Sequence, residues 1–95
     1  MSEIIYTDHL RLRLNIRKIP YEYPKIIYSD ADQRFFDVLE GKDIAVKKLK
    51  YTRRIRNMMI AFEKKGNVVE IVTIHPISDE KILNRIMSGR WKKNG

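Results

Sequence analysis

The stretch that decides the fold is HLRLRLNIRKIP, residues 9–20, because two rules of local structure disagree about it. Within it, leucine and isoleucine alternate with arginine and asparagine, and strict alternation is typical of a half-buried β-strand. Thr7 and Asp8 before the stretch and Pro20 at its end are instead the start and stop signals of a helix. The residues alone leave both assignments open.

One group of side chains stays together under either assignment. His9, Arg13 and Arg17 are spaced by four residues, which places them on one side of a helix or on one face of a strand. As a helix, the stretch has two apolar stripes, and we expect the sheet to cover one and a neighbouring helix the other. The stripes are Leu10 with Leu14, and Leu12 with Ile16 and Ile19.

Runs typical of strands and helices flank this stretch. Residues 3–6 predict a first strand, and residues 21–31 predict a short helix with Pro24 in its first turn. Four further runs joined by short loops predict an antiparallel meander, with the last and most apolar run central in the sheet. These runs are residues 34–40, 43–51, 54–63 and 68–75.

The C-terminal part predicts one more helix. Ser78 is suited to cap it, and Asp79 and Glu80 favour the positive end of its dipole. We expect Gly89 to end the helix and the basic tail to fray after Trp91. Four residues at helical spacing predict its buried stripe: Ile82, Leu83, Ile86 and Met87.

Length and composition predict one domain spanning residues 1–95, with 43% hydrophobic residues to build a core. The absence of cysteine excludes a disulfide framework and thiolate chemistry. The start of the chain carries acids rather than a basic and then apolar leader, and MMIAF is far too short to span a membrane. We therefore expect a cytoplasmic protein.

The charge balance is the strongest compositional signal. Lys and Arg number 20 against 12 acidic residues, which gives a net charge of +8. Such a balance favours a polyanionic partner, most often nucleic acid. The alternative is a basic surface without such a partner.

The cluster of His9, Arg13 and Arg17 is the first candidate site. Arginine matches phosphate oxygens, and a histidine in the first turn of a helix is suited to act as a base. His75, held extended before Pro76 at the end of a strand, is a second candidate for proton transfer. The alternatives are a solvated basic face with a capping histidine, and a His75 that satisfies a backbone carbonyl.

A second concentration of basic residues lies on the predicted hairpin in the middle of the chain. A basic sheet face with an aromatic side chain is able to hold RNA through phosphates and one stacked base. The alternative is a solvated strand face whose lysines discourage edge pairing. The candidates are Lys47, Lys48, Lys50, Tyr51, Arg54 and Arg56.

Trp91 has two interpretations, stacking on a base and packing of the end of the last helix, of which packing is favoured. Two histidines without cysteine argue against a zinc site, and there is no glycine-rich phosphate loop or nucleophile elbow. We expect neither a metal nor a cofactor.

Several motifs together resemble a family of small prokaryotic and phage domains of unknown function, distantly related to the RelE, ParE and BrnT toxins. They are YTDHLRLRLNIRKIP, DIAVKKLKY, VEIVTIHPI and NRIMSGRW, which span nearly the whole chain. The resemblance implies N-terminal helices packed on an antiparallel sheet, and so favours a helix for residues 9–18. This sequence matches the family pattern at five residues: His9, Arg13, Arg17, Arg85 and Arg90.

The resemblance also implies a function. RelE-like toxins cleave mRNA without a metal, BrnT-like members pair with an antitoxin, and ParE-like relatives act on gyrase. No RelE catalytic residue maps onto this sequence.

We therefore expect an α+β domain with helices on a four- to five-stranded antiparallel sheet, RelE/BrnT-like, ordered β-α-α-β-β-β-β-α. The leading interpretation is an RNA-binding toxin-like protein acting as a metal-independent endoribonuclease. His9 would be its base, with Arg13 and Arg17 stabilising phosphorane charge. The alternative is a non-enzymatic module that binds nucleic acid or protein through the same basic face. An antitoxin and a homo-oligomer remain open as partners.

Overall fold

The computed structural model describes residues 3–94, which form an α+β fold of three helices and a six-stranded sheet. The elements in chain order are β1 (Glu3–Tyr6), α1 (Asp8–Arg17), α2 (Tyr23–Ser29), β2 (Gln33–Asp37), β3 (Lys42–Tyr51), β4 (Arg54–Lys65), β5 (Val68–Pro76), α3 (Asp79–Met87) and β6 (Trp91–Lys93).

The disputed stretch is helix α1, so the helix signals outweigh the alternation. Thr7 caps the helix, because its Oγ1 accepts a hydrogen bond from the backbone N–H of Leu10 at 3.2 Å. Lys18 ends it in the left-handed conformation, with φ of 56°. Leu10 and Leu14 are buried, and α1 packs on β5.

The expected second buried stripe on α1 is wrong. Leu12 and Ile16 are 54% and 64% exposed. They lie uncovered because α2 packs on β3 and β4 rather than over this side of α1. Ile19 is buried, but it lies beyond the end of the helix. The alternation therefore reflects one buried stripe and one exposed apolar stripe.

The sheet has the order β1-β5-β4-β3-β2-β6. Each pair of neighbours is antiparallel except β1 and β5, which run parallel with Glu3 opposite Val68. The predicted four-strand meander is confirmed as β2–β3–β4–β5, but β5 lies one strand in from the edge rather than at the centre. The expected count of four to five strands is too low.

The sixth strand comes from the predicted tail. Residues 91–93 do not fray after Trp91 but pair with β2 as β6, with Trp91 opposite Asp37. The strand escapes a pattern search because it has only three residues, two of them lysines. It covers the edge that β2 would otherwise expose.

The sheet separates two apolar clusters. The larger cluster lies under α1 and α2 on what we call the helical face, where Leu10, Ile60 and Ile74 are fully buried. The smaller cluster lies on the opposite side, called the cleft face, where Met59 and Trp91 pack with Ile82 of α3. The cleft face is only partly covered, and this leaves room for a site.

Helix α3 buries fewer apolar side chains than its sequence predicts. Ser78 caps it as expected, because its Oγ accepts from the N–H of Lys81 at 3.1 Å. Ile82 is buried, but Leu83, Ile86 and Met87 are 56%, 42% and 77% exposed, so the predicted four-residue buried stripe is wrong. A nine-residue helix at the margin of the sheet has only one line of contact with it.

Candidate functional site

Helix α1 presents His9, Arg13 and Arg17 along the side that runs beside β5. Arg13 Nε donates to His9 Nε2 at 3.3 Å, so these two side chains interact directly. Arg17 Nη1 donates to the carbonyl oxygen of Ile74 at 3.5 Å, which ties the last turn of α1 to β5. The three residues that the sequence grouped therefore lie together, with His9 exposed at one end.

His75 lies on β5 opposite Met59 and faces the cleft side. Its Nδ1 lies 3.0 Å from the carbonyl oxygen of Pro76, which only accepts hydrogen bonds. The tautomer with hydrogen on Nδ1 satisfies this contact and leaves the Nε2 lone pair free. The expectation that such a histidine satisfies a carbonyl and the expectation that it reaches a cleft are therefore compatible.

The environment of His75 favours its neutral form. Burial lowers the pKa of the imidazole below 6.5, and the positive charges of Arg17, Lys81 and Arg13 lower it further, while the contact with Pro76 opposes the shift. A neutral imidazole with a free nitrogen is the form that a general base requires.

A cleft of about 290 Å³ opens on this face beside α3. Apolar residues such as Met59 and Ala61 form part of its lining, together with charged residues of both signs, Lys42, Arg85, Arg90, Asp37 and Glu40. Five residues that the sequence singled out line it: His9, His75, Arg85, Arg90 and Trp91. Arg13 and Arg17 lie next to this cleft rather than in its wall, close enough to act on the charge of His75.

The far wall of the cleft rests on a buried ion pair. Asp37 is 3% exposed, and its Oδ2 lies 3.0 Å from Arg90 Nη2 and accepts from Trp91 Nε1 at 3.2 Å. Burial alone would raise the pKa of Asp37, but hydrogen bonds from Arg90, the N–H of Glu40 and Trp91 outweigh it and hold the pKa below 3.8.

Asp37 was missed in the sequence, although a signal for it exists. It follows Phe35 by two residues on β2, so the period of a strand places it on the same face as a buried aromatic ring. A carboxylate on a buried face requires a partner. Arg90 is that partner. Two further residues that line the cleft, Lys42 and Glu40, were also missed in the sequence.

Two aromatic residues predicted to meet RNA have structural positions instead. Trp91 is 3% exposed, with its ring 5.3 Å from that of Phe35, so it packs in the apolar cluster as the favoured interpretation expects, but from β6 rather than from the end of the last helix. Tyr51 lies half-buried on the helical face, and its hydroxyl donates to the carbonyl oxygen of Arg17 at 2.8 Å.

The basic residues of β3 divide between the two faces. Lys47 contacts Asp30 at 3.1 Å and Asp32 at 3.8 Å, and this pairing raises its pKa. Because side chains alternate along a strand, Lys48 and Lys50 point to the cleft face, where they are exposed. Lys47 therefore lies on the face opposite to Lys48 and Lys50, whereas Arg54 and Arg56, which pair with Tyr51 and Leu49, start from the same face as Lys47.

Beyond the cleft, the β3–β4 hairpin projects past its neighbours. The pairing of β2 with β3 stops at Val46, and that of β5 with β4 stops at Met58, so residues 47–57 form a two-stranded ribbon. Between this ribbon and the start of α3 runs a groove of about 520 Å³, called the ribbon groove. Lys48, Arg54 and Arg56 line it.

Comparison of the chain with protein families, with curated proteins and with solved structures finds no match. Within residues 3–94, no three histidine or carboxylate side chains are grouped as they would be to hold a metal ion. None of the helices in that part of the chain is both long and apolar enough to cross a membrane.

Proposed function

We propose that this protein is a cytoplasmic, toxin-like endoribonuclease that binds single-stranded RNA on the cleft face and cleaves it without a metal ion. The observation that carries the proposal is that His75, His9 and Arg85 line one cleft in a chain of net charge +8. Phosphate binding needs the positive charge, and internal RNA cleavage needs groups that move protons.

The proposed reaction uses the ribose 2′-hydroxyl as nucleophile. His75 Nε2 removes its proton, the 2′-oxygen attacks the adjacent phosphorus, and the bond from phosphorus to the 5′-oxygen breaks. His9, exposed at the rim, donates a proton to the departing 5′-oxygen from its imidazolium form, in which Nε2 carries hydrogen and the contact with Arg13 Nε is broken. Arg85 stabilises the charge that develops on the phosphoryl oxygens. The products are a 2′,3′-cyclic phosphate and a 5′-hydroxyl end.

This assignment differs from the one that the sequence suggested, because His9 is now the proton donor rather than the base. The Nε2 atom of His9 already accepts from Arg13, whereas Nε2 of His75 is free and its imidazole has a lowered pKa. The base is therefore assigned to His75. Arg13 and Arg17 supply positive charge beside the cleft.

A second candidate function is binding without catalysis. Arg90 is engaged by Asp37, and Arg17 donates to a backbone carbonyl, so these arginines have protein partners in the free protein. A binding module needs only the basic surface, and it tolerates such pairing better than a site that must stabilise a transition state.

The proposal includes a distant relationship to RelE and BrnT toxins. The N-terminal helices packed on a mainly antiparallel sheet support it, as do the motifs on which the resemblance rests. An antitoxin-like protein or a second copy is a suitable partner, because Leu83 and Met87 are exposed apolar residues on one helix.

The test is cleavage of end-labelled single-stranded RNA in the presence of a chelator. We expect products with 2′,3′-cyclic phosphate ends and no cleavage where the target ribose lacks its 2′-hydroxyl. His75→Asn should lower the rate by about 10²–10⁴-fold while RNA binding persists. Arg11→Met, which removes an exposed charge outside the cleft, is the control. Binding without cleavage by the unaltered protein would favour the second candidate.

A further inference from the structure

The ribbon groove lies outside the cleft, and the proposed reaction does not use it. One wall is β4 from Arg54 to Asn57, and the other is the connection from β5 into α3, from Pro76 to Asp79. The last backbone hydrogen bond between these walls runs from the N–H of Ile77 to the carbonyl oxygen of Asn57, at 2.9 Å. Beyond it, towards the tip of the ribbon, no strand of the described chain pairs with this edge of β4.

The charge of the groove suits an anion. Within residues 3–94, Lys48, Arg54 and Arg56 line it, against one carboxylate, that of Asp79. That carboxylate is already engaged, because Asn57 Nδ2 donates to its Oδ1 at 2.7 Å. Among the described residues, the three cations consequently have no carboxylate partner across the groove.

Arg56 is the most informative of these cations. Its Nε is buried and, within residues 3–94, has no hydrogen-bond partner. Arg90 differs, because its Nε donates to both carboxylate oxygens of Asp37. A buried donor without an acceptor is unfavourable, and an incoming phosphate towards which Arg56 turns would supply the acceptor.

The groove also offers a surface for a base. Ile55 lines it and is 63% exposed, and it pairs across the ribbon with Lys50. An apolar side chain at a basic strand edge is suited to contact the flat face of a nucleobase, while Lys48 on the same face and Arg54 and Arg56 at the edge contact phosphates.

The groove, which follows the free edge of β4, and the cleft are adjacent, since Ile77 lines both of them. We propose that the ribbon groove is a remote subsite for single-stranded RNA, which holds nucleotides on one side of the strand seated in the cleft. This inference rests on the proposed function and specifies its substrate as a single strand several nucleotides long. We expect a trinucleotide, by contrast, to occupy the cleft without reaching the groove.

The experiment measures binding of labelled oligouridylate, a trinucleotide and a dodecanucleotide, at several salt concentrations. Arg56→Met and Lys48→Met remove one groove charge each, Arg85→Met removes a cleft charge, and Arg11→Met is the control for net charge. We expect the groove variants to lower dodecanucleotide affinity by about three- to tenfold. The slope of log affinity against log salt should fall by about 0.7 for each lost contact.

Trinucleotide binding should respond to Arg85→Met but not to the groove variants. Lys48 is exposed, so Lys48→Met serves even if Arg56→Met disturbs folding. If both groove variants match Arg11→Met while Arg85→Met weakens binding, the subsite is refuted and the proposed function stands. Failure of the unaltered protein to bind either RNA refutes both. Binding of an oligoaspartate peptide through Arg56, with RNA binding insensitive to it, would assign the groove to a protein partner and overturn the subsite.

Discussion

Arg90 Nε lies 3.1 Å from both carboxylate oxygens of Asp37, and this contact joins two residues that lie 53 positions apart in the chain. The same carboxylate accepts from the backbone N–H groups of Leu39 and Glu40, at 3.0 and 3.1 Å. One buried side chain thus holds the β2–β3 turn, the last strand and one wall of the cleft.

Loss of this carboxylate should destabilise the whole domain. Asp37→Asn removes the charge that Arg90 faces, and breaking a buried pair costs about 3–5 kcal/mol. We expect the free energy of unfolding, measured in urea, to fall by an amount near the lower end of that range. Glu40→Gln, an exposed change in the same turn, should remain within about 0.5 kcal/mol of the unaltered protein. An equal effect of the two variants would contradict the role assigned to Asp37.

Stability should fall with acid in two separate ranges. The pKa of His75 is lowered below 6.5 in the folded state, so only the unfolded chain takes up this proton as the pH first drops below 6.5. The pKa of Asp37 is lowered below 3.8, so its contribution is complete above that pH and is lost below it. Melting temperatures across this range measure both losses. His75→Gln should remove only the first, and Asp37→Asn only the second.

Tyr51 should matter for stability and not for RNA. Tyr51→Phe removes the hydroxyl that donates to the carbonyl oxygen of Arg17 while it keeps the ring. We expect a loss of about 1 kcal/mol in unfolding and unchanged RNA affinity. Tyr21→Phe, at an exposed ring, is the matched control. Reduced RNA affinity in Tyr51→Phe alone would restore the role that the sequence suggested.

The uneven burial of α3 gives a further test. Ile82 is 6% exposed and its neighbour Leu83 is 56% exposed. Ile82→Ala should lower the free energy of unfolding by about 2–4 kcal/mol, whereas Leu83→Ala should change it by less than about 1 kcal/mol. If the two substitutions are equally damaging, Leu83 is covered in solution, and the oligomeric state should then be measured.

Local rules predicted most of the elements. Thr7 and Ser78 cap their helices, Pro24 lies in the first turn of α2, and the turn at Thr52 and Arg53 joins β3 to β4. These features depend on neighbours in the chain, which a sequence displays directly.

Features set by distant residues could not be predicted in the same way. The apolar pattern of α1 does not reveal that Leu12 and Ile16 remain uncovered, because that depends on where α2 packs. The parallel partner of β1 lies more than sixty positions away. For the site, the spacing of His9, Arg13 and Arg17 was informative. The position of His75 in the same cleft as His9, and the pairing of Asp37 with Arg90, depend on how the strands are arranged in the sheet.

The parallel strand β1 has a consequence for the order in which the chain folds. Its partner positions, from Val68 to Ile71, are synthesised long after Glu3–Tyr6. During translation, β1 and the buried side of α1 have no β5 to pack against at first, whereas the local β3–β4 hairpin is free to form as soon as its own residues emerge. We infer that closure of this edge is a late event, and that the nascent chain exposes Leu10 and Leu14 until β5 emerges.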